Sequence, residues 1–421
     1  MVSIMKRFIA PLRLLRHQPW PLSTAVAPRL DIGSPLEEEN TPYYHQNRFH
    51  PIHLGDVLDG RYQIATKLGY GSGSTVWLAR DLNQWRWLEE KYVAVKVMAY
   101  SHRQEDTLPS EMSTLKHISE VNPPHRGWNF VRHLLDSFEI VKPSHKHVGL
   151  VFEPLREPLW LYQKRFPGGV MPSNILKIIV RMVLHGLDYL HSECHTIHTD
   201  LKPDNIMVKI EDPSILKDAA RDEFQDPLPQ KVYDDGRTIY LSRNNFGPPR
   251  GITGIVRITD FDRAVRGDQP NSGCIQAEVY RAPEVILDAG YSYSADIWSL
   301  GVMLWDLLEG RKLFTGALSM DEDDEMKQLA YITALLGPPP KKLLDAGRRT
   351  ARFYNVDGTS KSTKSTPARI EFEDILKNVE GEDKQMFIGF VRRMIKWQPG
   401  DRSTAKELLQ DPWLYAECPQ R

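Results

Sequence analysis

The run His198–Asn205, HTDLKPDN, sets a carboxylate, an ammonium and a carboxamide at short offsets: Asp200, Lys202 and Asn205. A carboxylate so placed can orient a hydroxyl and take its proton. An ammonium two residues on can stand beside a phosphoryl group in flight. A carboxamide offers a hard cation such as magnesium a neutral oxygen without adding charge. A polar turn after a helix is the plain alternative, yet a turn rarely supplies His198, Asp200, Lys202, Pro203 and Asn205 in this pattern. Further on, TDFD follows the strand-like GIVRI, and Asp260 is the carboxylate candidate for the same cation. A strand-ending aspartate is commonly only a turn starter, so this assignment leans on its neighbours.

Upstream, LGYGSGSTVWLA places Gly69, Gly71 and Gly73 between two strand-like runs. Glycine lets backbone N–H groups approach phosphate oxygens closely. A plain hairpin turn explains the same glycines, whereas a dinucleotide fingerprint is disfavoured because a strand follows. VAVK ends a strand at Lys96, and a phosphate-binding lysine needs a carboxylate to hold it; Glu111, on the next helical run, is the candidate. A solvated edge lysine is the bland reading. YRAPEVIL and DIWSLG add Glu284, expected to pair with Arg402, and Asp296, expected to accept hydrogen bonds from the HTDLKPDN backbone. Together these residues point to magnesium-assisted phosphoryl transfer, in which positioning and charge neutralisation carry the work.

Such groups need rigid elements to hold them. Val93, Val95 and Val97 alternate with smaller or polar residues, as a half-buried strand does. TLPSEMSTLKHI reads as a helix with Thr107 as cap and Pro109 in the first turn. FVRHLLDSFEI and HVGLVFEPL complete a small sheet. After about residue 154 the periodicity turns helical: Ile175, Ile178, Ile179, Met182, Val183, Leu187 and Leu190 share a face, with Ser173 as a possible cap. ADIWSLGVMLWDLLEG is nearly all apolar, hence central, and Gly310 closes it. The expected fold is α+β, with a small β-rich lobe, a larger helical lobe and a cleft between. The expected boundaries are an N-terminal extension to residue 55, the small lobe over 56–153, the large lobe over 154–416 and a tail over 417–421. An insert over about 211–255 falls inside the large lobe, and within it VYDDGRTIYLS reads as a hairpin with Asp-Gly at its turn.

The chain has 421 residues and a formal net charge of −1, which favours neither nucleic acid nor a membrane surface as partner. Its 3 cysteines, Cys194, Cys274 and Cys418, form neither a disulfide framework nor a metal spacing, and a reducing compartment is the default. No apolar run is long enough to span a membrane. Residues 1–30 carry Lys6, Arg7, Arg13, Arg16 and Arg29 among apolar residues and no acid. A mitochondrial transit peptide and a disordered basic tail both fit. Residues 31–55, acidic and then His-rich, read as a linker.

Taken in order, GSGSTVWLARD, NFVRHLLDSF, HTDLKPDN, the insert before TDFD and CIQAEVYRAPEVIL resemble the eukaryotic protein kinases, and within them the SR-protein kinases of the compact fungal branch. The resemblance covers about residues 57–416. It implies a serine/threonine kinase using ATP and Mg2+, with Asp200, Lys202, Lys96 and Glu111 catalytic and Asn205 and Asp260 on the metal. It implies a nucleotide site of Gly69, Gly71, Gly73, Val76, Ala94, Lys96, Phe152, Glu153, Leu155 and Met207. Phe152 would be the gatekeeper, the Glu153 carbonyl and Leu155 N–H would bond adenine, and ordinary core packing would leave the same residues. It also implies protein substrates rich in arginine and serine, no direct nucleic-acid contact, a monomer, and a cytoplasmic or nuclear location unless residues 1–30 act as a transit peptide.

Departures from the family pattern carry expectations too. Asp262 replaces the glycine of D-F-G and should stiffen that turn. Thr199 replaces the arginine that in many kinases grips a phosphorylated activation segment, so activity without such phosphorylation is expected. Glu278 stands where animal SR-protein kinases carry a basic residue. A binding module without turnover is the alternative function, but Lys96, Asp200, Asn205 and Asp260 are all present. The acids Asp321 to Glu325 either favour a helix N-terminus capped by Ser319 or also draw in arginine-rich substrates.

Overall fold

The alternating runs of the first part form one antiparallel sheet. Its strands are β1 (Val57–Leu58), β2 (Tyr62–Gly71), β3 (Ser74–Asp81), β4 (Tyr92–Met98), β5 (Leu134–Val141) and β6 (Lys146–Phe152), in the order β1-β2-β3-β4-β6-β5. The computed structural model describes residues 15–42, 44–100, 104–142, 146–251, 254–314, 322–361 and 369–416; the side chains of 104–111 and 322–323 lie outside that description. The described residues divide into two compact units. One draws on Met1–Met112, His133–Arg156 and Lys209–Thr253, the other on Ser113–Arg132, Glu157–Val208 and Gly254–Arg421.

In the first unit, period-2 alternation sorts the side chains onto two faces. Trp77, Ala79, Val93, Val95, Val97 and Val151 join Tyr62, Ile64 and Phe138 in the main core. Leu78 and Tyr92 point the other way and pack with Leu216 and Ala220. Those last two lie on α3 (Ser214–Gln225), a helix inside the insert. The insert therefore belongs to the sheet-bearing unit, although sequence order placed it within the helical lobe. Its hairpin, Gln230–Val232 with Thr238–Tyr240, forms as expected, with Gly236 at φ 86° in the turn.

The second unit is helical around α2 (Ser173–Asp188) and α4 (Ser294–Glu309). α4 is buried along nearly its whole length and ends at Gly310, whose φ of 66° suits glycine and whose N–H bonds the Asp306 carbonyl. Two caps differ from expectation. Ser173 does not cap α2; its hydroxyl donates to Asp383 Oδ2 at 2.7 Å. Thr107 lies inside α1 (Gln104–Glu120), so Pro109 falls beyond the first turn.

Residues 31–42 and 44–55 are not a bare linker. Glu37, Glu38 and Glu39 sit in a short helical turn, and each carboxylate has its own donors on the sheet or the insert. Residues 15–30 dock as well. Trp20 exchanges hydrogen bonds of 2.9 Å with the Gln63 amide, lies 4.2 Å under the Arg80 guanidinium and meets Phe224 edge-on. The basic stretch over 1–14 lies outside the described residues.

Candidate active site

In the first unit, strand register gathers the expected nucleotide-contacting side chains. Val76 pairs with Lys96, Leu78 with Ala94, and Ala94 with Phe152. Paired residues of antiparallel strands share a face, so Val76, Ala94, Lys96 and Phe152 stand on one side of the sheet. Ala94 and Phe152 are buried there, Val76 and Lys96 half-buried. Glu153 follows Phe152 and its carboxylate lies 3.5 Å from Lys209 Nζ; Leu155 opens the short strand Leu155–Pro158. The expected Lys96–Glu111 pair lies outside the described residues, because the Glu111 side chain is not among them.

Gly69 and Gly71 end β2, and Ser72-Gly73 make the tight turn into β3. Neither Gly69 nor Gly71 has a positive φ, and an added Cβ would meet nothing within 4 Å at Gly69 and only the Ser74 hydroxyl, at 3.7 Å, at Gly71. The fold itself does not demand glycine at either place. Bare backbone with open space beside it fits the close approach of a phosphate.

In the second unit, α2 leads through a π turn, Tyr189–Glu193, to the strand Thr196–Ile197 and then to His198. Ile206–Lys209 pairs with Val256–Ile258, and Thr259 N–H donates to the Asn205 carbonyl at 2.8 Å. This pairing brings the HTDLKPDN end and the TDFD start side by side. Thr199 and Asp260 hold left-handed backbones, φ 68° and 67°. Non-glycine residues keep such conformations where surrounding contacts over-determine them, and these cluster at functional sites.

The contacts are explicit. Asp296, fully buried in the first turn of α4, accepts from His198 N–H at 2.8 Å, Thr199 N–H at 3.0 Å and His191 Nε2 at 2.9 Å. His198 Nε2–H donates to the Thr259 carbonyl at 2.9 Å, which leaves Nδ1 to accept from Asp200 N–H at 3.2 Å. Lys202 Nζ lies 2.7 Å from Asp200 Oδ2. Asn205 spends its NH2 on Asp200, 2.8 Å from the carbonyl and 3.2 Å from Oδ2. Its amide oxygen is then the atom left for a cation, and Asp260 supplies a carboxylate just beyond Thr259. An amide and a carboxylate suit magnesium, which takes one or two protein oxygens and completes its shell with phosphate and water. Among the described residues no cluster of three or more His, Cys, Asp or Glu offers an all-protein metal cage. Phe261 is buried against His198, ring centroids 5.2 Å apart, and Met207 sits half-buried on Ile206–Lys209.

Gln276 was not singled out in the sequence. It is buried, has φ 66°, and its N–H donates to the Thr199 carbonyl at 2.9 Å. Its side chain donates to Ala295 O and Ser299 Oγ, both at 2.8 Å, and accepts from Ala282 N–H. Arg281 holds the neighbouring carbonyls of Ile275 and Gln276 and pairs with Glu325. The Thr199 hydroxyl donates to the Arg263 carbonyl at 2.7 Å. Nearby, Asp306 takes hydrogen bonds from Tyr280 and Lys312, yet burial raises its carboxyl above the usual range. Glu284 and Arg402 form the expected pair, two bonds of 2.6 Å between side chains with no exposed surface. Of the acidic run, Asp324 pairs with Lys327 at 2.7 Å and Glu325 with Arg281 and Arg349; the side chains of residues 321–323 lie outside the described ones.

Comparison with known proteins adds three findings. The protein kinase domain family matches residues 62–414. A serine/threonine protein kinase of Aspergillus fumigatus is 38% identical over 410 residues, spanning 96% of this chain and 98% of that one. More distant relatives are the serine/threonine-protein kinase SRPK of Physarum polycephalum, 29% identical across 90% of this chain and 91% of that one, and SRSF protein kinase 3 of Homo sapiens, 25% identical across 91% of each. A solved kinase domain superposes with a TM-score of 0.66 at 23% identity, covering 87% of this chain and 99% of that one, a likeness of fold.

Proposed function

Because the chain belongs to the protein kinase family and is a serine/threonine protein kinase, we propose that it transfers the γ-phosphoryl group of ATP to serine hydroxyls flanked by arginine. The acceptor oxygen forms a bond to the γ-phosphorus, the bond from that phosphorus to the β,γ-bridging oxygen breaks, and ADP departs. Asp200 orients the hydroxyl and accepts its proton; Lys202, 2.7 Å from that carboxylate, offsets charge on the phosphoryl oxygens. Asn205 and Asp260 would hold magnesium, which neutralises phosphate charge.

The observation that carries the arginine preference is a pair of carboxylates with no ion pair among the described residues. Asp204 is exposed four residues after Asp200, and Glu278 is half-exposed two residues after Gln276, the residue tied to Thr199. Neither has a described ion pair, unlike Glu284, Asp296 and Glu325 in the same unit. Exposed carboxylates close along the chain to Asp200 and to Gln276 would suit guanidinium groups of a bound peptide. The relatives named for SR-type substrates support the same reading.

Transfer from labelled ATP to an arginine-serine repeat peptide tests it against peptides with glutamate or alanine for arginine. We expect kcat/KM to favour arginine by about tenfold or more, and Glu278→Lys to narrow that gap. Equal rates on all peptides would overturn the arginine preference, and near-normal transfer by Asp200→Ala would overturn the role of Asp200 as base. Loss of residues 15–30 would remove the contacts that Trp20 makes with Gln63 and Leu30 with Gln230, which supports a working enzyme that keeps this segment, and we propose a cytoplasmic or nuclear location for it.

A further inference from the structure

Lys67 stands on β2, two residues before Gly69, and its ammonium is fully buried. Three stretches of chain meet on it. Glu38 pairs with Nζ, Glu37 Oε2 lies 3.5 Å away, and Nζ donates to the Tyr240 carbonyl at 3.0 Å. The Lys67 carbonyl accepts from Arg243 N–H at 2.8 Å. The flanking acids are anchored as firmly. Glu37 accepts from Ser242 N–H at 3.1 Å and from its hydroxyl at 2.6 Å, and Glu39 from Leu36 N–H, Lys231 and Tyr233. Glu37 holds φ 52° to do so.

The place of this hub on the strand matters more than its strength. Lys67 pairs with Trp77, but Gly69 pairs with Val76, so Leu68 is an extra residue in the ladder. A bulge bends its strand and re-aims the residues beyond it. Here those residues form the glycine-rich turn. A bulge needs fixed residues beside it to have one direction, and Lys67 is the last anchored residue before it. A buried ion pair adds little stability over apolar side chains of the same volume. It does fix one register, because the ammonium is satisfied only where Glu38 and the Tyr240 carbonyl converge.

We propose that Lys67, held by Glu38 and Tyr240, is a positioning residue that sets the direction of the Gly69–Gly73 turn, so that the acidic segment Glu37–Glu39 tunes ATP binding. The proposal rests on reading that turn as the phosphate cradle. The Lys67 ammonium is buried on Glu38 and the Tyr240 carbonyl, so it acts through the bulge.

Steady-state kinetics, thermal melting and amide hydrogen exchange of the full chain test it. Glu38→Gln should raise KM for ATP about tenfold with kcat within about twofold, and speed exchange of the amides over 68–74. Lys67→Arg, which keeps a charge opposite Glu38, should raise KM for ATP less than Glu38→Gln does. The double change Lys67→Met with Glu38→Leu separates positioning from stability. Melting near that of the unaltered chain with KM still raised supports positioning; KM restored along with melting overturns it. An unchanged KM in folded Glu38→Gln overturns it too. Gly71→Val reports on the underlying reading: if that change leaves KM for ATP unaltered, the phosphate cradle is wrong, whatever the other variants do.

Discussion

The loop His198–Asn205 and the acidic turn Glu37–Glu39 are both short polar segments with buried members and dense hydrogen bonds, yet they use those bonds differently. In the loop the bonds come from within one unit and leave reactive atoms over: Asp200 Oδ1, with Oδ2 held by Lys202 and Asn205, and the amide oxygen of Asn205. In the acidic turn the carboxylates all find donors, from Lys67, Lys231, Tyr233 and Ser242. A site that does chemistry is held by its backbone and keeps side-chain valences open. A site that holds structure spends them. Asp296 makes the contrast concrete, since it is consumed by the loop backbone so that Asp200 need not be.

The largest expected effect separates the two at once. Asp200→Ala should lower kcat by about 10³-fold or more while thermal melting barely moves, because the loop backbone is held by Asp296 and His198 rather than by the Asp200 carboxylate. A variant that melts early and retains activity would reverse the comparison, making the loop the structural segment.

Next comes the acidic turn. Glu39→Gln leaves the buried Lys231 ammonium short of its partner, and we expect a stability loss of about 3 kcal/mol, measured by denaturant unfolding. Burial alone would raise the Glu39 carboxyl, but hydrogen bonds from Lys231, Tyr233 and Leu36 outweigh it and hold it below its ordinary value of 4.5. A depressed carboxylate contributes stability that is complete above that ordinary value and lost as pH falls through the folded one. The stability gap between the unaltered chain and Glu39→Gln should therefore be widest near neutrality and close in acid. A gap that widens on acidification would remove the assigned charge state.

The same contrast explains what could be read from the sequence. Asp200, Lys202, Asn205 and Asp260 lie within motifs whose spacing is itself the signal, whereas Val76, Ala94 and Phe152 are legible only through the family resemblance, because alternation gives a strand's two faces but not its register with its neighbours. The acidic turn has no such signal. Glu38 meets Lys67 across 29 positions and Lys231 meets Glu39 across 192, and an ion pair leaves no periodicity at either end. The helix α3 did leave one, in Ile215, Leu216, Ala219, Ala220 and Glu223, but sequence order hid which unit it would cover. Gln276 looked like any polar loop residue, because its role depends on a backbone angle.

The acidic run after Ser319 lies between the two cases. Asp324 is buried and paired with Lys327, and Glu325 with Arg281 and Arg349, so these two acids resemble Glu37–Glu39 more than Asp200. Asp324→Asn should cost about 1 kcal/mol of stability and leave KM for an arginine-serine peptide unchanged at low and at high salt. A KM that rises in the variant, most at low salt, would return Asp324 to substrate capture.

The smallest expected effect is none at all, and it bears on the loop's other polar residue. Many kinases order the segment after D-F-G by gripping a phosphate with an arginine at position 199, and this chain has threonine there. The hydroxyl of Thr199 instead holds the Arg263 carbonyl, its own carbonyl takes the Gln276 N–H, and its N–H is fixed by Asp296. Gln276 is locked in turn by Ala295, Ser299 and Ala282, and Arg281 secures the carbonyls of Ile275 and Gln276. Every link is a hydrogen bond already formed without phosphate. Phosphatase treatment should then leave kcat and KM unchanged, and so should Ser272→Ala, which removes an exposed acceptor in the same segment. Thr199→Val deletes only the hydroxyl bond and should lower kcat several-fold through a looser segment, with KM for ATP steady. Near-complete loss of activity on dephosphorylation, regained when Ser272 is phosphorylated, would show that these bonds do not suffice.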